Sequence, residues 1–370
     1  MSAPLAGLKV VELARILAGP WIGQTLADLG AEVLKVESPQ GDDTRTWGPP
    51  FIDREDDHTA AYFHCTNRGK ESIAIDFTDE ADLAKLKTII ADADVLIENF
   101  KVGGLKKFGL DYESLQAANP KLVYCSVTGF GQDGPYASRA GYDFLIQGMS
   151  GIMSLTGEPD GPPQKAGVAF ADVFSGLYGV IGIQAALTER NTSGLGQHID
   201  ISLLDCMTGV LANQAMNYLA SGNTPKRLGN AHPNIAPYQT FATSDGDIIV
   251  ACGNDRQFSA LCGVLGLDHL GTDPKFATNP ERVSNRAVLT SLLGTAIQGW
   301  TKHDILQALE TAVVPAGPIN TVAEALNDPQ IVHRGLQITP EGVPGLRTPL
   351  SFSRSKLSLT RAAPKRPRRL

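Results

Sequence analysis

Cysteine is scarce in this 370-residue chain: Cys65, Cys125, Cys206, Cys252 and Cys262 are odd in number, widely spaced and never in a C-x-x-C pair. That excludes a disulfide framework and a paired-cysteine zinc site, and a reducing, cytoplasmic setting is expected. Positive charge is also short. With 32 Lys plus Arg against 39 Asp plus Glu, the net charge of −7 argues against general binding to nucleic acid or an anionic membrane. The seven histidines never recur at i, i+4, so no metal is expected. Neither G-x-G-x-x-G nor G-x-x-x-x-G-K-[ST] occurs, which disfavours a nicotinamide fold signature and a P-loop. The N-terminus has no secretory or transit pattern. The one basic cluster, 361–369 (RAAPKRPRR), reads as a solvated tail.

What is present is 42% hydrophobic residues, enough for a sizeable core, and 38 glycines without a collagen-like period. The first half alternates apolar β-branched runs (8–13, 31–36, 72–76, 95–97, 122–127) with helical stretches such as 21–29 and one opened by Thr78. Strands separated by helices imply βαβ units and a parallel sheet, so the expected fold class is α/β. Around 222–232 the rhythm breaks at a Pro/Asn/Gly-rich linker. A hairpin follows, with Asp245-Gly246 as its turn, then amphipathic segments at 256–264 and 282–300 and a Thr301-capped helix. The expected organisation is a large domain over 1–221, a linker and smaller α+β domain over 222–330, and a C-terminal segment over 331–370 that packs back on another domain.

The 22-residue stretch 167–188 contains a single charge, Asp172. A membrane helix would be penalised for it, so a buried helix is the better reading. If that helix begins near 173, Asp172 sits at its N-cap or first turn, where free amides favour the ionised carboxylate. A simple helix cap explains such a residue. The glycines around it, from Gly148 to Gly182, also allow a narrow amide-lined slot in which a carboxylate serves as a covalent nucleophile. Lys101, Lys106 and Lys107, beyond an expected parallel strand, form either a ligand-facing group or a solvated loop.

Eight motifs in order then carry a resemblance: LAGLKVVELARILAGP with DLGAEVLKVE, NRGKESIAID, IENF, SVTGFGQDGP, RAGYD, AFADVFSGLYG, GLGQHIDISLLD and VPAGPI. From about residue 5 to 359 the chain resembles the family III (CaiB/BaiF) CoA-transferases, and GDDTRTWGPPF with the 235–258 region is most similar to their succinyl-CoA:glutarate and other dicarboxylate members. The resemblance implies a Rossmann-like large domain, a small domain and an interlocked homodimer. It implies a CoA thioester as substrate rather than a permanently bound cofactor, with a carboxylic acid as acceptor. It places Asp172 as the nucleophile, forming an aspartyl-acyl anhydride and then an aspartyl-CoA thioester. It assigns CoA contacts to Arg15, Leu17, Ala18, Asn99, Phe100 and Lys107, with Tyr142 near the thioester. His232, Asn254 and Arg256 become acceptor-side groups. Where many relatives carry an Arg after the second strand this chain has Ser38, and Arg45 is a candidate replacement.

Three alternatives follow from the same residues. An acyl-CoA racemase of this family needs a histidine base where Tyr142 stands, and a phenol titrating near about 10 is a poor base at neutral pH. A formyl-type transferase is disfavoured because Gly253-Asn254-Asp255 replaces the formyl enzymes' glycine run, and a carnitine-type transferase stands beside it as an alternative. A non-catalytic CoA-binding protein remains if Asp172 is only a helix cap.

Overall fold

The structure, a computed structural model, describes residues 2–367. Six parallel strands form the main sheet: β1 (Lys9–Glu12), β2 (Glu32–Glu37), β3 (Glu71–Ala74), β4 (Val95–Glu98), β5 (Val123–Thr128) and β6 (His198–Ser202). Their order across the sheet is β3-β2-β1-β4-β5-β6, the doubly wound arrangement in which the strand order reverses between β1 and β4. Strands β1, β2, β4 and β5 carry short apolar runs because both faces are covered. Val10, Val33, Ile97 and Val123 point into one core, and Val11, Val36, Leu96 and Tyr124 into the other. The α/β expectation holds, with the sheet parallel throughout.

The helices of the large unit include α1 (Ala18–Asp28), α2 (Glu80–Ala91), α3 (Asp143–Met149) and α4 (Phe170–Ser193). Helix α1 starts three residues before the expected 21, since Pro20 falls in the first turn, where its missing N–H has no partner to lose. Helix α2 is capped by Asp79, which accepts from the Ala81 and Asp82 amides, so Thr78 is not its opening residue. Helix α4 lies across α1 through two glycines. A Cβ on Gly176 would sit 3.1 Å from the Ala18 carbonyl oxygen, and one on Gly179 would collide with Ile22. Such close approach explains the small-residue content of a segment with membrane-span length and hydropathy: its buried Ala171, Ser175, Gly176, Gly179, Ile183 and Ala186 lie within the described structure.

The chain divides into two compact units: 1–153, 165–222 and 329–370 in the first, 154–164 and 223–328 in the second. The 154–164 excursion departs from a continuous 1–221 domain; Arg227 holds it by donating to the carbonyls of Ser154, Glu158 and Gly161. The second unit has an antiparallel sheet, β7 (Tyr238–Thr243), β8 (Gly246–Ala251) and β9 (Ala316–Pro318), packed by α5 (Asp255–Val264) and α6 (Lys302–Thr311) around Phe241, Phe258 and Ile305. The expected single segment 282–300 is two helices, Asn279–Ser284 and Arg286–Ile297, separated at Asn285. The basic segment is not a free tail in its described part. Ala362 and Ala363 are buried, Arg361 pairs with Glu71, and Lys365 pairs with Glu55. Arg368 and Arg369 lie outside the described residues.

Candidate functional site

A cleft of about 450 Å³ opens beyond the carboxyl ends of β1, β4, β5 and β6, at the point where the strand order reverses. Arg15, Leu17 and Ala18 reach it from the turn after β1, Asn99 and Phe100 from the turn after β4, Tyr142 from the start of α3, and Asp172 from α4. Residues up to 157 positions apart in sequence thus share one wall. Lys107 does not: its ammonium rests 4.7 Å from the Phe108 ring centre, and Lys101 lines the cleft instead.

The turn after β1 is held from its neighbour. Asn99 accepts the Arg15 amide at 2.9 Å and donates to the Arg15 carbonyl at 2.7 Å, so both halves of its side-chain amide clamp the β1 turn. Ile16, a β-branched residue, takes φ 74° between Arg15 and Leu17. Such a left-handed conformation costs about 1–3 kcal/mol and persists where surrounding contacts impose it. It directs the chain into α1, whose start at Leu17 and Ala18 lines the cleft, at the positive end of the helix dipole. The Arg15 guanidinium lies 5.9 Å from the Phe100 ring centre and pairs with Asp43 at 2.9 Å.

Asp172 occupies the first turn of α4, yet it caps nothing: the N-cap residue is Ala169, and no described residue donates a hydrogen bond to the Asp172 carboxylate. Asp143 takes the capping role, accepting the Ala171 amide at 2.9 Å, and is itself fixed by Gln147 Nε2 at 2.9 Å. Burial, then the neighbouring Asp143 carboxylate, push Asp172 up to about 7. The expected preference for the ionised form at the helix start is therefore overridden, because desolvation and a like charge both favour the proton. Burial followed by the Asp172 charge also raises the Tyr62 phenol to about 12.

Three glycines give the cleft its close walls, and none lies in the 148–182 run. Gly104, Gly129 and Gly141 line it, and a Cβ on Gly129 would stand 2.6 Å from the Gly141 Cα, so two loops cross in backbone contact. Asp143 is the residue that pattern reading passed over, although the RAGYD motif contains it. Arg45 does not replace the cation absent at Ser38: it is buried, grips Glu37 with two bonds of 2.7 Å, and stacks 3.7 Å over the Phe63 ring. In the second unit, Asn254 accepts the Gln257 amide as the N-cap of α5, and His232 Nδ1 accepts the Asn234 amide. No group of three or more acidic, His or Cys side chains forms a metal site among the described residues.

Comparison with known proteins gives the same reading along the whole chain. The family model "CoA-transferase family III" matches residues 5–367. The chain is 55% identical to a succinate–glutarate CoA-transferase of Agrobacterium fabrum, covering 98% of this chain and 92% of that protein. It is 41% identical to the human succinyl-CoA:glutarate CoA-transferase, over 98% and 83% of the two chains. The crystal structure of a CaiB/BaiF family protein from Brucella suis superimposes with a TM-score of 0.90 at 65% identity, over 99% and 97%. With identity at these levels over nearly the full length, and a doubly wound parallel sheet beneath the cleft, the chain belongs to family III of the CoA-transferases.

Proposed function

We propose that the protein moves CoA from succinyl-CoA to a dicarboxylate such as glutarate, with Asp172 as the covalent carrier. The observation that carries this reading is Asp172 itself, a carboxyl group on the wall of the cleft, raised to about 7, with no hydrogen bond from a described residue. A more basic carboxylate is a better nucleophile, and one that caps no helix is free to react. Its oxygen attacks the thioester carbonyl, the C–S bond breaks, and CoA thiolate leaves with its electron pair to give the aspartyl-succinyl anhydride. The thiolate then attacks the aspartyl carbonyl, expelling succinate and leaving an aspartyl-CoA thioester. Glutarate reverses the sequence: its carboxylate displaces CoA thiolate to form a new anhydride, and the thiolate attacks the glutaryl carbonyl to release glutaryl-CoA and free Asp172. An anhydride and a thioester are close in reactivity, so no step is trapped, provided water is kept out. Acceptor choice is supported by the substrates in the two relatives' names. Succinyl-CoA offered with a panel of dicarboxylates and followed by mass spectrometry should yield glutaryl-CoA and succinate in equal amounts. Hydrolysis alone, or transfer only to monocarboxylates, would overturn the assignment.

The homodimer is part of the same proposal. Leu177, Tyr178 and Ile181 stand out of α4, and Met216, Tyr218 and Leu219 out of the helix Ala212–Ser221, with Ile181 60% and Leu219 71% exposed. An apolar surface of this kind is costly in water and marks an interface. Light scattering should give about twice the 39.3 kDa chain mass; a monomer at micromolar concentration would refute this part.

A further inference from the structure

Glu98 closes β4 and is buried, but it does not line the cleft and has no ion-pair partner among the described residues. An isolated buried carboxylate is expensive unless donors surround it. The Phe100 amide donates to Oε2 at 2.7 Å, and Ser126, the register partner on β5, stands beside the carboxyl and favours its charged form. Burial pushes Glu98 up to about 7 despite both groups, with Asp200 adding in the same direction.

The line continues. Ser126 Oγ lies 2.8 Å from His198 Nε2 on β6. A hydroxyl has one proton, so if Ser126 turns it toward Glu98 it accepts from His198, and the imidazole is then the Nε2–H tautomer. The ring is held in place by Tyr112, stacked at 5.3 Å, and Tyr124, edge-on at 5.3 Å. Three adjacent strands therefore bring Glu98, Ser126 and His198 side by side, with Glu98 bonded to the Phe100 amide and Ser126 to His198. That amide belongs to the turn whose Asn99 clamps Arg15, and the Arg15 turn leads into the first amides of α1.

We propose that Glu98 is a positioning residue for the thioester ligand: through the Phe100 amide on one side and Ser126–His198 on the other, it holds the Asn99–Phe100 turn in the conformation that binds CoA. This rests on the CoA-transferase reading of the cleft. The carboxylate acts without touching the ligand, and it is suited to the place because it can accept from both sides at once. A glutamine would accept from Phe100 but present an NH2 to Ser126, where the carboxylate presents an oxygen.

Calorimetric titration with free CoA and steady-state kinetics on the full chain test the idea. For Glu98→Gln, the Kd for CoA and the KM for succinyl-CoA should rise about tenfold, the scale of one hydrogen bond to a charged group, while kcat and the acceptor KM change by less than about threefold. Ser126→Ala, which leaves the Phe100 bond intact, should show the same split at about threefold, and the double variant should show less than the product of the two. Wild-type affinity in both variants would overturn the proposal, as would kcat, both KM values and melting temperature all moving together. If Glu98→Gln does not fold, Ser126→Ala decides alone. Wild-type protein that fails to bind CoA would instead remove the proposed function, and with it the ligand this turn serves.

Discussion

Replacing Asp172 with Ala should reduce CoA exchange by four or more orders of magnitude, the scale on which enzymes lose turnover when a covalent nucleophile is deleted. The assay is conversion of succinyl-CoA and glutarate, with hydroxylamine trapping of the acyl or CoA adduct in the wild type as a control. Two further readouts separate nucleophile from helix-start residue. If Asp172 is the nucleophile only its ionised form attacks, so kcat/KM for succinyl-CoA should fall about tenfold per pH unit below about 7, where the carboxyl takes up its proton. Stability should move the other way from a cap deletion. With the folded pKa raised from 3.8 to about 7, the folded state keeps a proton that the unfolded chain has released across that window, so the wild type loses stability as pH rises through it. Asp172→Ala should therefore melt higher than wild type at pH 8, by roughly 2–4 kcal/mol, with the gain gone near pH 4. A variant that is less stable at pH 8 and still exchanges CoA would mark Asp172 as structural.

The sheet was legible because its central strands are buried on both faces, which leaves apolar runs such as Val10-Val11 and Val95-Leu96-Ile97; helix starts were less so, since Pro20 enters a first turn that periodicity alone reads as loop and the cap of α2 is Asp79, one residue after Thr78. The candidate nucleophile stood out as the one charge in an apolar segment. What surrounds it did not. Asp143 caps α4 from 28 residues away, and Asn99 bonds Arg15 across 84 positions, contacts that no local pattern encodes. The glycines illustrate the same limit: those of α4 bring helices together, while Gly129 and Gly141 make the cleft, and only the crossing of two loops distinguishes the roles. Arg45 was misread for a related reason. As a lone cation after the second strand it resembles a ligand contact, but Glu37 and Phe63 close around it.

Beneath the β1 turn lies a charged core whose removal should cost more stability than any surface change. Glu12, fully buried, pairs with Lys70 at 2.8 Å and Lys35 at 3.2 Å. Lys35 also reaches Asp42 and the Ala14 carbonyl, and Lys70 the Pro20 carbonyl, so these ammonium groups grip the backbone on both sides of residues 15–19. The cluster is packed against α1 so tightly that a Cβ on Gly23 would overlap Glu12 Oε2. Breaking a buried pair by removing one partner typically costs about 3–5 kcal/mol, and Glu12→Ala strands the Lys70 ammonium while leaving Lys35 only Asp42, so a loss within that range is expected in urea denaturation. CoA affinity should drop with it, because the Ala14 and Pro20 anchors flank the turn on the cleft. Burial already lowers Lys70 to about 8, and Glu12 is the largest influence holding it up. Without Glu12 its folded pKa falls further below the unfolded value, and the folded state sheds a proton that the unfolded chain keeps. The variant thus gains stability relative to wild type as pH rises toward 8, and its deficit should be larger at pH 6 than at pH 8.5. Glu12→Gln combined with Lys70→Met removes one charge of each sign and leaves the Lys35–Asp42 pair intact, so it should recover most of the lost stability. Equal destabilisation by Glu12→Ala and by this double variant would show that the cluster contributes through shape alone.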